Sequence, residues 1–408
     1  MQRPRRVLRW LLLTTLGGLS GCGTVVFEGP GEDSQLSGSQ QGRSWKERRQ
    51  FEQVYGDWRS LVGELAALDL QYQIASADRC DDLRHRYDRL VAEGIAGQQQ
   101  VTQAAIAAYA KAPEENADLA AFLTGIVFLL VDQEEYEEGL RLAQILLDRG
   151  VSHGELYVLA GTAAFAVGEF GLADKHLRRA QQQQAALGAA AQYLQDLGYY
   201  KAAWERENKL RFAEASASDL PRVLLNTTQG DIELELFENE APNTVANFIW
   251  LVEQGFYNGL TFHRVLPRSM AQAGCPNGDG TGGPGYTIPC ECLGEEHRVH
   301  FRGSLAMVNS GRNTGGSQFC LMFLPNQHLD GSQTVFGRIV RGIDVLAKIQ
   351  RRDPPDPFSV QINPHQNINV PPADKIIAAK VLRKRSHPYR PKVLRPISRN
   401  GGGQPDES

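Results

Sequence analysis

The chain has 408 residues, 42% of them apolar and 22% charged, with a formal net charge of −4. That length holds two domains of ordinary size with linkers; the composition excludes a wholly disordered chain, and the near-balanced charge gives no reason to expect nucleic acid as a partner. Charge is uneven near one end, where the stretch from Lys380 to Arg399 holds basic residues and no Asp or Glu.

Residues 1–22 read as a targeting segment. Arg3, Arg5, Arg6 and Arg9 lead into a short apolar core from Trp10 to Leu19, which ends in Leu19-Ser20-Gly21-Cys22. A basic region followed by an apolar core of this length is an export signal, too short for an ordinary spanning helix. The last four residues resemble the lipobox of bacterial lipoproteins. That resemblance implies cleavage before Cys22, lipidation of its thiol, and a stable membrane anchor at the cell envelope through several acyl chains. Gly23 in place of Asp implies that an inner-membrane retention signal is absent. The alternative is an ordinary secretory signal with Cys22 as a bystander. Beyond residue 22 no apolar run approaches the ~20 residues needed to cross a bilayer, so the body is expected to be soluble. Residues 23–44, rich in Gly, Ser, Gln and Glu, predict a flexible linker reaching on the order of 25 Å.

From residue 45 to 215 the apolar period is helical. Phe51, Val54, Tyr55, Trp58, Leu61, Val62 and Leu65 fall three and four apart, which places them on one face, and Leu83 to Val91 behaves alike. These stripes are core, not cofactor sites. Glu135-Tyr136 and Glu169-Phe170 then lie 34 residues apart. With Tyr157, Ala160-Gly161, Ala164, Phe170, Ala173, Leu177 and Ala180, this resembles the tetratricopeptide repeat, a stack of helical hairpins. A weaker copy precedes it in Leu123, Ile126, Leu130, Tyr136, Gly139 and Ala143. Two copies are few, so flanking helices such as Ala189 to Leu210 are expected to complete the core. The role of this half stays open between a peptide-binding groove, an oligomer interface and a spacer.

After Ser216-Ala217-Ser218 the period changes to two. Val223 to Leu225 and Ile232 to Leu236 flank Gln229-Gly230-Asp231 as a β-hairpin. A helix follows from Pro242 with Val245, Phe248, Ile249 and Val252 on one face, and a second is predicted over Val340 to Ile349. A last strand is predicted over Lys375 to Leu382. Many short strands with two helices suggest a barrel with helical caps.

Within this half, Phe262-His263-Arg264-Val265-Leu266-Pro267 and Met270-Ala271-Gln272 are followed by Met307-Val308-Asn309, Gly316-Ser317-Gln318-Phe319, His328-Leu329-Asp330-Gly331 and Val335-Phe336-Gly337. Their order and spacing resemble the cyclophilin-type peptidyl-prolyl isomerases over residues 221–385. The resemblance implies an eight-stranded antiparallel β-barrel capped by two helices, and an enzyme that turns Xaa-Pro bonds in proline-containing polypeptides. It implies Arg264 as the catalytic residue, with Gln272 and Asn309 holding the substrate backbone and Gln318 lining the site. Met270, Phe319 and Leu329 would contribute apolar surface around the proline ring, with Val308 and His328 as further substrate-binding residues. The chemistry suits an arginine, whose planar fork stays charged and can hydrogen-bond an amide as it twists. Amide rotation needs no nucleophile, metal or cofactor, and none is expected. His263 reads as structural, because rotation transfers no obligatory proton. Four positions depart from the family. Ser269 and Cys320 stand where it usually has phenylalanine, His328 where it has tryptophan, and Gln333 where many members have histidine. The first two thin the expected proline pocket and are expected to raise KM more than they lower kcat.

Cys275 and Cys290 flank a Gly-rich loop and suit a disulfide in an exported protein, closing a loop of about fifteen residues. Cys290, Cys292, His297 and His300 offer metal donors without a standard zinc spacing, so no metal site is assigned. Free thiols remain the other possibility. The expected order is thus a signal (1–22), a linker (23–44), a helical domain (45–215), an isomerase domain (221–385) and a disordered basic tail (386–408). The leading function is a prolyl isomerase assisting the folding of exported proteins, with a protein partner on the helices. The alternative is a weakly or non-catalytic module that holds proline-containing segments.

Overall fold

Apolar side chains at spacings of three and four build the N-terminal half. The computed structural model describes residues 41–73, 79–113, 116–294, 297–353 and 371–396. The expected signal with Cys22, residues 23–40 of the linker and residues 397–408 of the tail lie outside them. Contacts divide the chain into two compact units. The first holds the described residues up to Ala164 together with Leu172–Leu194, and the second holds Phe165–Gly171 and the chain from Gln195 onward.

In the first unit α1 (Gln41–Gln73) and α2 (Cys80–Lys111) pack as a long hairpin. The predicted stripe is its core: Phe51, Tyr55, Trp58, Val62 and Leu65 are all buried. Trp58 Nε1 donates to the Gly94 carbonyl at 2.8 Å. A methyl at Gly97 would stand 2.7 Å from the Trp58 ring, so the glycine lets the two helices close. In chain order α3 (Ala117–Asp132), α4 (Tyr136–Asp148), α5 (Gly154–Ala166), α6 (Phe170–Gln182) and α7 (Ala190–Ala217) follow, of which Phe165–Gly171 and α7 from Gln195 onward belong to the second unit. Leu123, Ile126, Tyr136, Ala143, Ala160, Ala164, Ala173 and Leu177 are buried at the joints between them. No described helix is long and apolar enough to cross a membrane.

In the second unit β1 (Arg222–Thr227) and β2 (Gly230–Leu236) form the predicted hairpin, Thr227 pairing with Gly230. The α8 helix (Pro242–Glu253) follows, with proline in its first turn. Short strands come next: β3 (Arg264–Leu266), β4 (Met270–Ala273), β5 (Tyr286–Thr287), β6 (Ser304–Met307), β7 (Phe319–Met322) and β8 (Val335–Arg341). The predicted second helix shrinks to α9 (Ile343–Lys348), because Val340 and Arg341 extend β8. After it come β9 (Ile376–Arg383) and β10 (Arg395–Pro396).

Eight strands make one antiparallel sheet in the order β3-β4-β7-β6-β8-β2-β1-β9. The closed barrel expected from the resemblance is corrected to a curled, open sheet. Among the described residues no ladder joins the edge strands β3 and β9. The chain just before β3 meets the start of β9 instead, through an isolated Thr261–Lys375 bridge and bonds from Gly259 N–H to the Ile376 carbonyl and Phe262 N–H to the Asp374 carbonyl. The free edge of β3 is taken by Arg352 instead, with Val265 N–H donating to the Arg352 carbonyl at 2.6 Å and Arg352 N–H to the Val265 carbonyl at 3.0 Å. Val223, Leu225, Ile232 and Leu234 alternate into the core and meet Phe248 and Ile249 of α8.

Residues 386–396, expected as the start of a disordered tail, are bound to this unit. Tyr389 is buried and its hydroxyl donates to Glu238 at 2.7 Å. Lys392 N–H donates to Asn243 at 2.7 Å, and β10 pairs with β5. Composition marked the segment as basic; the buried Glu238 carboxylate gives it a place to dock.

Candidate active site

The β3–β4 hairpin sets Arg264 directly opposite Gln272 and Leu266 opposite Met270. Because side chains alternate along a strand, Arg264, Gln272 and Met270 share one face, while Val265 and Ala271 are buried on the other. The next ladders continue that outer face. Gln272 pairs with Cys320 of β7, Cys320 with Ala306 of β6, and Ala306 with Val335 of β8. The row ends in an apolar cluster of Cys320, Ala306, Met322, Val335, Phe237 and Leu220, against which Met270, Val308 and Leu329 are partly buried. A guanidinium and a glutamine thus border an apolar patch with half-exposed walls.

The polar side of the site is tied together. Gln272 Nε2 donates to Gln318 Oε1 at 2.8 Å, and Gln318 Nε2 donates to the carbonyls of Gly280 and Gly282 at 2.7 and 2.8 Å. Those bonds hold the Gly-rich loop beside the site. Gly274, at φ +87°, lies so close that an added methyl would meet the Ser317 carbonyl at 2.3 Å, so glycine is required there. Asn309 Nδ2 donates to the Ser332 carbonyl at 2.9 Å. Arg264 is exposed and its Nε donates to Asp353 at 3.2 Å. An ion pair with both partners this open holds the side chain weakly and gives way to a better acceptor. His328 is exposed on the turn Gln327–Leu329.

His263 is 2% exposed, and burial holds its pKa below the ordinary value, so the ring is neutral near pH 7. Burial pushes the Cys320 thiol up to about 12, making it an apolar group.

Two expectations are corrected. Phe319 does not line the pocket. It is fully buried in the sheet's core, its ring 5.5 Å from Phe248 and 5.6 Å from Tyr257. A strand inverts its side chains at each residue, so Cys320, not Phe319, faces the site. Cys275 and Cys290 are both free. Cys275 Sγ accepts N–H bonds from Gly280 and Gly282 at 3.2 Å each, whereas Cys290 Sγ accepts from Asn313 N–H at 3.0 Å, so each thiol serves a different loop. Among the described residues no group of His, Cys, Asp and Glu is arranged to hold a metal ion.

The family model for cyclophilin type peptidyl-prolyl cis-trans isomerase/CLD matches residues 222–375. A peptidyl-prolyl cis-trans isomerase of Synechococcus elongatus is 55% identical over 119 residues, 29% of this chain and 80% of that protein. The chain belongs to the cyclophilin-type peptidyl-prolyl cis-trans isomerase family. A Helicobacter pylori isomerase is 52% identical over 131 residues, covering 32% of this chain and 80% of the relative. Peptidyl-prolyl cis-trans isomerase B of Bacillus subtilis is 51% identical over 122 residues, 30% of this chain and 85% of the relative. The C-terminal half is therefore an enzyme of this family, and the family match leaves the helical unit outside it.

Two strand residues of the outer face, Ala306 and Met322, were not singled out from the sequence, and Val335 was named only within the Val335-Phe336-Gly337 motif, without a site role. Their alternation within strands was the available signal. In Phe319-Cys320-Leu321-Met322 every residue is apolar, so the pattern does not say which face is which.

Proposed function

We propose that the second unit isomerises Xaa-Pro bonds of extended polypeptides on this outer face, with Arg264 as the catalytic residue. The observation that carries the reading is the row Arg264–Gln272–Cys320–Ala306, which puts a charged donor beside an apolar patch walled by Met270, Val308 and Leu329. Amide resonance sets a barrier of ~20 kcal/mol to rotation. Arg264 donates to the substrate as the amide twists and the prolyl nitrogen becomes pyramidal, a charge-assisted bond worth about 1.5–3 kcal/mol. Gln272 and Asn309 hold the substrate backbone, and Met270, Val308 and Leu329 enclose the ring, so that placement supplies the rest of the acceleration. The neutral, buried His263 takes no part in proton transfer.

The test is steady-state kinetics on an Xaa-Pro peptide with wild type and Arg264→Ala. Loss of a bond made chiefly at the transition state lowers kcat and kcat/KM together by about tenfold to a hundredfold. A folded wild type with no rate above background, or a variant with an unchanged rate, refutes the assignment.

The wider setting is proposed from the sequence. Lipidation at Cys22 anchors the chain to a bacterial membrane, where it assists exported proteins as they fold. The paired helices of the first unit, read as tetratricopeptide-like, recruit a protein partner. Close helix contacts support that reading, since a methyl at Gly161 would meet Leu177 at 2.6 Å.

A further inference from the structure

Helix α7 from Gln195 onward belongs to the same compact unit as the sheet. Leu197, Tyr200, Glu207 and Glu214 form its buried face. The later half is held by charge and rings. Arg298, with 1% of its side chain exposed, pairs with Glu207 at 2.8 Å and also with Glu214. Arg338 pairs with Glu214 at 2.8 Å, and the ring of Trp204 meets Phe301 at 4.8 Å.

The earlier half touches the turn Gln327–Leu329. Gln327 Nε2 donates to Asp196 Oδ1 at 2.9 Å. The Tyr199 hydroxyl donates to Asp330 Oδ2 at 2.7 Å, while Asp330 Oδ1 accepts from His300 Nδ1 at 2.6 Å and from the His300 N–H at 2.9 Å. This turn carries Leu329, which packs on the Cys320 cluster, and runs on to Ser332, whose carbonyl holds Asn309. The turn has backbone bonds of its own, from Leu329 N–H to the Asn326 carbonyl and from Asp330 N–H to the Gln327 carbonyl, and side chains from outside grip both its ends: Asp196 at Gln327, and Tyr199 with His300 at Asp330.

We infer that α7 is a positioning element of the isomerase site. Asp196 and Tyr199 grip the turn, and through it fix Leu329 and Asn309, so the helix sets substrate affinity without touching substrate. This rests on the reading of the outer face as the proline site. The family match begins after α7, at residue 222, so the helix is an addition of this chain to the matched region.

The experiment uses the full chain with Tyr199→Phe, Asp196→Ala and Asp196→Asn. Steady-state kinetics and calorimetric titration with one Xaa-Pro peptide are read beside the thermal midpoint. Tyr199→Phe and Asp196→Ala raise KM and the peptide Kd by about threefold to tenfold, with kcat within about twofold. Asp196→Asn keeps an acceptor for Gln327 and recovers most of the lost affinity. A lower midpoint with unchanged KM and Kd means that α7 only stabilises, and overturns the inference. If wild type binds the peptide without turning it over, catalysis fails while the inference is still decided by Kd. A wild type that does not bind the peptide overturns both.

Discussion

On the proposed reading, Cys320 bears on how the outer face receives a proline ring. It stands where the family usually carries a phenylalanine, yet it is 2% exposed and packed 3.8 Å from the Met322 sulfur. The thiol, pushed up to about 12, stays protonated near neutrality. Cys320 is therefore expected to resist a thiol reagent at pH 8 in the folded protein and to react on denaturation; mass spectrometry of the labelled chain checks this, and native labelling contradicts it. The two positions that lack phenylalanine are not equivalent. Ser269 is half-buried, so Ser269→Phe adds ring surface at the rim and is expected to lower KM about threefold to tenfold, since only part of the ~1.5–3 kcal/mol of full burial is gained. Cys320→Phe forces a ring into a filled space and is expected to lower stability by about 1–3 kcal/mol, read from the denaturation midpoint. The motifs made Arg264, Gln272 and Met270 legible from sequence, because the hairpin fixes their shared face. Phe319 was misread, because a wholly apolar strand does not declare which of its residues point inward.

At the scale of elements, α7 shows what periodicity omits. Its helical pattern was readable, but Glu207 and Glu214 look like solvated carboxylates until Arg298, 91 residues from Glu207, is brought against them. Arg298→Ala takes one cation from both carboxylates while Arg211 and Arg338 stay beside them, and is expected to cost about 1–3 kcal/mol, measured by denaturant unfolding. A loss under about 1 kcal/mol would show that the pairs are solvated. Acid acts at the same joint. Burial alone would raise the Glu207 pKa, but Arg298 and Arg211 outweigh it and hold the carboxyl below its ordinary 4.5. At Asp330, burial is likewise outweighed by the bonds from His300 and Tyr199, which keep it below 3.8. Depressed folded values mean that both groups stabilise fully above their unfolded values, and that this stability is lost as pH falls through the folded ones. The thermal midpoint is therefore expected to fall steeply below about pH 4.5, and less steeply in Glu207→Gln. Equal acid slopes in both proteins would contradict that assignment. The open sheet was equally hidden from the sequence: the resemblance implied eight strands and the sheet has eight, but the bonds across the β3–β9 seam were not legible.

At the scale of the whole chain, an isomerase of known family is joined to a helical unit behind a lipobox-like segment. The anchoring proposal is checked by Cys22→Ser, which is expected to move the protein out of the membrane fraction; unchanged retention and processing would contradict it. The helical unit's existence was plain from its stripes. Its partner was not, because packing residues at helix joints say how helices stack and nothing of what they bind. The compact unit around the enzyme extends from Gln195 and runs through the described residues to Pro396, wider than the matched 222–375. The most direct measurement is magnetisation exchange between the cis and trans resonances of an Xaa-Pro peptide, recorded with a catalytic amount of the folded chain. Uncatalysed exchange takes tens of seconds or longer at 25 °C. Wild type is expected to bring it into the range the experiment resolves, and Arg264→Ala, equally folded, to return it most of the way to the uncatalysed rate. Exchange at the uncatalysed rate with folded wild type, or equal acceleration by Arg264→Ala, would contradict the central claim.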